Sequence, residues 1–178
     1  MSAPSHPAAR PVPPPVWRPM AAADLPAVME IAGKVHPGYP EDEAVFAERL
    51  RLCPRGCLVA ESAGAAVAYA VSHPWHAHHP PKLNTLLGAL PAAPQTFYIH
   101  DIALLPAARG TGLGRAIVAQ LADVARGGGL PNLSLVAVNG SVPFWRRQGF
   151  VIDDAPALRE SLRSYGGDAA FMTRNLQG

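Results

Sequence analysis

The sequence predicts a single α/β domain, and three observations predict it. Short apolar runs of strand length alternate with segments whose apolar residues recur three and four positions apart. In the middle of the chain a strand pattern, a cluster of glycines, a helical pattern and a second strand pattern follow one another directly. That order describes a right-handed crossover between parallel strands. The 178 residues, 49% apolar and 16% charged, suffice for one substantial core and are too few for two domains of ordinary size.

Met1 to Pro15 are rich in proline, alanine and serine and read as a disordered or polyproline tail, which leaves 16–178 as the folded domain. Val16 to Met20 reads as a first strand. Leu25, Val28, Met29 and Ala32 recur at helical spacing, with Asp24 near the start and Pro26 in the first turn, so a helix runs to about Lys34. His36-Pro37-Gly38-Tyr39-Pro40 breaks it, and a second helix with an acidic start covers about Glu41 to Leu52. Cys57 to Glu61 and Ala65 to Ser72 form a hairpin about Ser62-Ala63-Gly64. His73 to Gln95 holds five prolines and reads as a long loop, with room for a short helix through Leu83, Leu86, Leu87 and Leu90. A long loop between two core strands is expected to act as a substrate lid.

The central unit follows. Phe97 to Leu105 is a buried strand, Pro106 to Arg109 a short crossing, Gly110, Gly112 and Gly114 the turn. A helix then turns Leu113, Ile117, Val118, Leu121 and Val124 inward until Gly127-Gly128-Gly129 ends it. Leu133 to Val138 is the next strand, parallel to the first. Ser141 is placed to cap a short helix through Phe144-Trp145-Arg146-Arg147-Gln148, and Gly149 stops it. Phe150-Val151-Ile152 begins a strand, Ala157 to Ser164 reads as a helix, and Ala169 to Leu176 is the last strand.

The glycine turn carries the chemistry. Without a Cβ to obstruct them, successive glycine N–H groups can point into one concavity, and the helix beyond adds unpaired N–H groups and the positive end of its dipole. Arg109 and Arg115 flank the turn, so an anion such as a diphosphate is the expected guest. The spacing excludes a P-loop, because Arg115 and no lysine follows Gly114. It also excludes a dinucleotide fingerprint, because no glycine stands at the third place.

Arg-x-x-Gly-x-Gly (Arg109, Gly112, Gly114) directly after Ile102-Ala103-Leu104-Leu105-Pro106 resembles the acyl-CoA motif of the GNAT superfamily of acetyl-CoA-dependent N-acetyltransferases. Asn139 to Phe150, an asparagine, then an aromatic pair, then Gly-Phe, is similar to the second half of that signature. The likeness covers nearly the whole chain from Val16. It implies a mixed, mostly antiparallel sheet of six to seven strands with about four helices, splayed at strands four and five. The pantetheine arm of acetyl-CoA, the co-substrate, is then expected on the backbone of Ile102, Ala103 and Leu104. The diphosphate is expected on the amides of Gly110, Thr111, Gly112, Leu113, Gly114 and Arg115, with Asn139 and Phe144 on the far side.

Acetyl transfer to an amine needs a group that takes a proton, a donor for the oxyanion and a proton for the departing thiolate. His100 stands where the related arylalkylamine N-acetyltransferases carry a histidine implicated in proton removal, so the resemblance makes it the base or relay, with Tyr98 beside it and Asp101 second. Strict alternation along the strand puts Tyr98 and His100 on one face and Asp101 on the other. The oxyanion donor is expected from a backbone N–H at a strand bulge near Ile102 to Leu104. Many relatives carry a tyrosine acid where this chain has Trp145; Tyr165 is the substitute.

The implied function is an N-acetyltransferase working by direct attack of a primary amine in a ternary complex. The alternative is a non-catalytic acyl-CoA-binding module, sensory or regulatory. Composition narrows the partners. A formal net charge of +2, with arginines scattered and lysine only at Lys34 and Lys82, argues against nucleic acid. No apolar run approaches the ~18 residues of a membrane span, and no secretory leader is legible, so a cytoplasmic location is expected. A homodimer is compatible with the sequence. His73, His76, His78 and His79 read as a solvated loop and not as a metal site, and Cys53 and Cys57 as reduced thiols.

Overall fold

A computed structural model describes residues 14–177, so the expected tail, 1–15, lies almost wholly outside the described residues. Seven strands form one sheet: β1 (Val16–Pro19), β2 (Cys57–Ser62), β3 (Ala65–Trp75), β4 (Thr96–Leu104), β5 (Asn132–Ala137), β6 (Val151–Ile152) and β7 (Ala170–Asn175). Their order is β1-β2-β3-β4-β5-β7-β6, with β4 and β5 the parallel pair and the other neighbours antiparallel. The α-helices among the described residues are α1 (Leu25–Val35), α2 (Glu43–Leu52), α3 (Leu113–Gly127), α4 (Val142–Arg147) and α5 (Leu158–Leu162).

Helices cover both faces of the sheet. α3 buries Leu113, Ile117, Val118, Leu121, Ala122 and Ala125 at the spacing of one helical face. All but Leu113, which packs with Ala60, Ala68 and Ala108, lie against Phe97, Ile99, Leu133 and Leu135 of the central strands. The opposite face receives Val28 and Ile31 of α1 and Phe46 of α2, against Val59, Tyr69, Val71 and Ala103. Each fully buried Leu or Ile in these clusters contributes ~1.5–3 kcal/mol. Cys53 and Cys57 are free and buried; burial pushes the Cys57 thiol up to about 12 and raises Cys53 too, which suits inert structural thiols.

Two irregularities in β4 shape everything downstream. Its pairing with β5 covers only Phe97↔Leu133, Tyr98↔Ser134 and Ile99↔Leu135, and β4 then continues to Leu104 alone. Against β3, Val71 pairs with Asp101 but Ser72 pairs with Ile99, so His100 is the extra residue of a β-bulge. Cross-strand partners share a face. Tyr98 pairs with His73 and Asp101 with Val71, two residues apart on β3, so Tyr98 and Asp101 project to the same side. The alternation expected from the sequence, which sent Asp101 away from Tyr98 and His100, is therefore wrong: the bulge resets the parity. It also lies ahead of Ile102 to Leu104, where a bulge was expected.

Other corrections are local. His73 belongs to β3 and is fully buried, not part of a solvated loop. Leu83, Leu86, Leu87 and Leu90 form no helix, because the loop backbone is spent on α2. The Glu48 carboxylate accepts the amides of Leu87 and Gly88, and the buried Arg49 donates to the Thr85 carbonyl at 2.8 Å. Ser141 makes no side-chain cap to α4; only its carbonyl takes the Trp145 amide. Glu41 precedes α2 instead of starting it.

Gly56, just before β2, is a packing requirement. A Cβ there would lie 2.1 Å from the Ser72 carbonyl oxygen, a backbone atom of β3 that cannot swing aside. Gly56→Ala is expected to cost about 3 kcal/mol, read as a fall in the urea midpoint at unchanged slope.

Candidate active site

A cleft of about 830 Å³ opens where β4 and β5 part. One end lies at the glycine turn. Gly110 and Gly112 have φ of +74° and +88°, the left-handed region in which only glycine is unstrained. Gly112 is the N-cap of α3, and the first helical bond runs from the Ala116 amide to the Gly112 carbonyl. The amides of Leu113, Gly114 and Arg115 thus have no partner within the helix. Gly114 is needed for closeness, since a Cβ would sit 3.1 Å from Phe144 Cζ across the cleft. Arg109, Arg115 and Arg147 line this end, giving it the positive charge a diphosphate needs.

The middle of the cleft is the unpaired edge of β4. The Leu104 carbonyl accepts from Arg109 Nε at 3.2 Å, and the next residue, Leu105, donates its amide to the Val67 carbonyl of β3. Ile102 and Leu104 therefore turn their polar groups to the open side, while Ala103 between them faces β3. Of the residues to which the sequence assigned the cofactor, Ile102, Leu104, Arg109, Gly110, Gly112, Gly114, Arg115, Asn139 and Phe144 line the cleft. Ala103, Thr111 and Leu113 do not. The Ala103 side chain is packed under α1, the Thr111 hydroxyl donates to the Ala108 carbonyl, and Leu113 is buried in the core.

The far end gathers His100, Asp101, Tyr98 and Tyr165 with three residues to which the sequence assigned no part in the site: His36 and Tyr39, read as a helix break, and Glu41, read as the start of the second helix. His100 Nε2 lies 2.8 Å from Glu41 Oε2, with both side chains almost enclosed, 3% and 6% exposed. Burial works against the Glu41 carboxylate, but the contact with His100 outweighs it and holds the pKa below the ordinary value. The Glu41 carboxylate can only accept, so Nε2 is the ring nitrogen that donates to it. Nδ1 is buried and has no hydrogen-bond partner among the described residues. Glu41 Oε1 also accepts the Asn84 amide, so the carboxylate joins the long loop to the histidine.

Asp101 is held from two sides. His36 Nε2 stands 3.0 Å from its Oδ1, and the Tyr69 hydroxyl donates to Oδ2. Burial opposes its charge, yet His36 and Tyr69 outweigh it and keep the carboxyl below its usual range, so Asp101 is a poor proton acceptor. Tyr165 is also poorly placed as an acid. Its hydroxyl hydrogen goes to the Pro81 carbonyl, burial pushes its pKa up to about 12, and Tyr98, whose own pKa burial raises well above the usual value, hydrogen-bonds to it.

A smaller cavity of about 270 Å³ at the start of β4, among Thr96, Ser134, Asp153 and Thr173, holds none of these residues. No group of three or more metal-type side chains occurs among the described residues, and no described helix is long and apolar enough to cross a membrane.

Known proteins resemble the chain in matching ways. The model of the Acetyltransferase (GNAT) family matches residues 25–150. A stretch of 55 residues is 38% identical to serotonin N-acetyltransferase 2, chloroplastic, of Oryza sativa subsp. japonica. It is 31% of this chain and 28% of that protein, so the match spans under a third of the relative's length. Among solved structures, Ard1 from Thermoplasma volcanium superposes with a TM-score of 0.69 at 17% identity, over 92% of this chain and 99% of that one. The GphF GNAT-like decarboxylase in complex with isobutyryl-CoA gives 0.72 at 17% identity, over 91% and 100%. N-acetylglutamate synthase from Neisseria gonorrhoeae, complexed with coenzyme A and N-acetyl-glutamate, gives 0.67 at 17% identity, over 92% and 35%. At such identities the likeness is one of fold.

Proposed function

The chain belongs to the GNAT family of acetyltransferases, and from that membership we propose that it moves an acetyl group from acetyl-CoA to a primary amine by direct attack in a ternary complex. One observation carries the reading: a single cleft connects the glycine turn, the open edge of β4 and a histidine whose Nδ1 has no hydrogen-bond partner among the described residues. The amides at the start of α3, with Arg109 and Arg115, would hold the diphosphate. The Ile102 and Leu104 edge would take the pantetheine arm as an added strand, with Asn139 and Phe144 opposite.

An alkylammonium with pKa near ~10.4 must lose a proton before it can attack. His100 Nδ1 takes that proton, and Glu41, ionised at Nε2–H, stabilises the imidazolium that forms. The oxyanion falls to a backbone N–H on the open edge of β4, where no neighbouring strand competes for it. Release of free CoA from acetyl-CoA with a panel of alkylamines, arylalkylamines, amino acids and peptide N-termini tests the reading. Tight acetyl-CoA binding with no release for any acceptor would favour the non-catalytic module instead.

Glu41 acts through His100 and is a positioning residue. Glu41→Gln keeps a side chain of the same size but removes the charge and can present an amide donor to Nε2, which selects the wrong tautomer. kcat is expected to fall about a hundredfold while acetyl-CoA affinity, measured by calorimetry, stays at the wild-type value.

A further inference from the structure

On the premise of acetyl transfer, we propose that His36 is the acid that protonates the departing thiolate of CoA. The ring sits just past the C-terminus of α1 and bridges the two strands after they part. Nε2 is 3.0 Å from Asp101 Oδ1 on β4, and Nδ1 lies 3.2 Å from the side-chain amide of Asn139, beyond the end of β5. Asp101 directly precedes Ile102 on the free strand edge. An acyl-pantetheine arm laid along that edge has to bring its sulfur past this ring. The side chain is 18% exposed, open enough to be reached and covered enough to be held.

The groups around it favour a proton. Asp101 on β4 faces Nε2 and is itself held by Tyr69 of β3, while Glu41 is already paired with His100. Arg109 opposes from the turn, where its guanidinium sits on the next edge carbonyl, Leu104. Burial works against the charged ring, but Asp101 outweighs it and raises the pKa above the ordinary histidine value. A diphosphate on Arg109 would cancel the opposing charge, so arrival of the cofactor would strengthen protonation at His36. The other candidates fail on chemistry: the Trp145 indole gives up no proton, and Tyr165 spends its own on Pro81.

The step balances. The amine nitrogen forms the C–N bond and yields its proton to His100. The tetrahedral intermediate collapses, and the C–S bond breaks with both electrons on sulfur. Protonated His36 then passes the Nδ1 proton to sulfur, giving the thiol, and keeps Nε2–H on Asp101. Asn139 yields its place at Nδ1 to the sulfur, and solvent returns the proton from His100 to His36.

The test compares wild type and His36→Gln with two donors, acetyl-CoA and the S-acetyl ester of 4-nitrothiophenol, whose thiolate leaves without a proton. The amine is the best acceptor from the panel above. With acetyl-CoA, kcat is expected to fall about a hundredfold at an acetyl-CoA Kd within about threefold of wild type. With the aryl thioester, the wild-type to variant ratio in kcat/KM is expected to shrink to within about threefold, which a merely structural defect would not produce. Asp101→Asn should lower the pH at which wild-type kcat declines on the alkaline side. An unchanged kcat in His36→Gln, or an equal loss with both donors, overturns the assignment of His36 while leaving acetyl transfer intact. A wild type that releases no CoA with any amine overturns both.

Discussion

Gly112→Glu is expected to abolish acetyl-CoA binding, raising Kd at least about a hundredfold, or ~2.7 kcal/mol. No protein atom lies within 4 Å of the site a Cβ would occupy, so the substitution clashes with nothing in the free protein. It acts in two other ways. At φ +88° any L side chain is strained by roughly 1–2 kcal/mol, and a carboxylate at the N-cap of α3 sits where the diphosphate would be held. Gly112→Ala separates the two, since it carries the strain without the charge and should bind acetyl-CoA measurably. Calorimetric titration of both variants checks this. Wild-type affinity in Gly112→Glu would remove the diphosphate from the turn.

His100→Gln is the second large effect. General base catalysis contributes about 10²–10⁴-fold, and kcat should fall within that range while acetyl-CoA affinity is retained. The retention is specific to the geometry: His100 sits at the far end of the cleft from Arg109, Arg115 and Arg147, so losing it leaves the diphosphate end untouched. Single-turnover acetylation, followed by CoA release, separates this loss of chemistry from slow product dissociation. A wild-type rate would discard His100 as the base.

The glycine-turn half of the candidate site was legible because its geometry is local in sequence. Gly110, Gly112 and Gly114 lie between a strand and a helix, and the left-handed φ values at the first two are what glycine at those places announces. The half around His100 and Asp101 was not, because its partners meet only through the fold. Glu41 reaches His100 across 59 positions of sequence, and His36 reaches Asn139 across 103. In the sequence those residues stand in a His-Pro-Gly-Tyr-Pro-Glu stretch whose prolines and glycine advertise a helix break and nothing more. The bulge was equally silent, since neither glycine nor proline marks it on β4. Periodicity recovered α3 and most of the sheet. It failed for Leu83 to Leu90, where the apolar spacing fitted a helix but Glu48 and Arg49 had claimed the backbone.

The extra residue at position 100 has an evolutionary corollary. Deleting one residue there would straighten the strand and complete its ladder, and so would improve the sheet as a piece of architecture. The same deletion would leave Asp101 opposite Val71 but would take away His100 itself and strand the buried Glu41 carboxylate without its partner. Descendants of this chain can therefore drift freely in many loops, but gaps and insertions along this ribbon should be purged, because a repair that tidies the scaffold dismantles the chemistry.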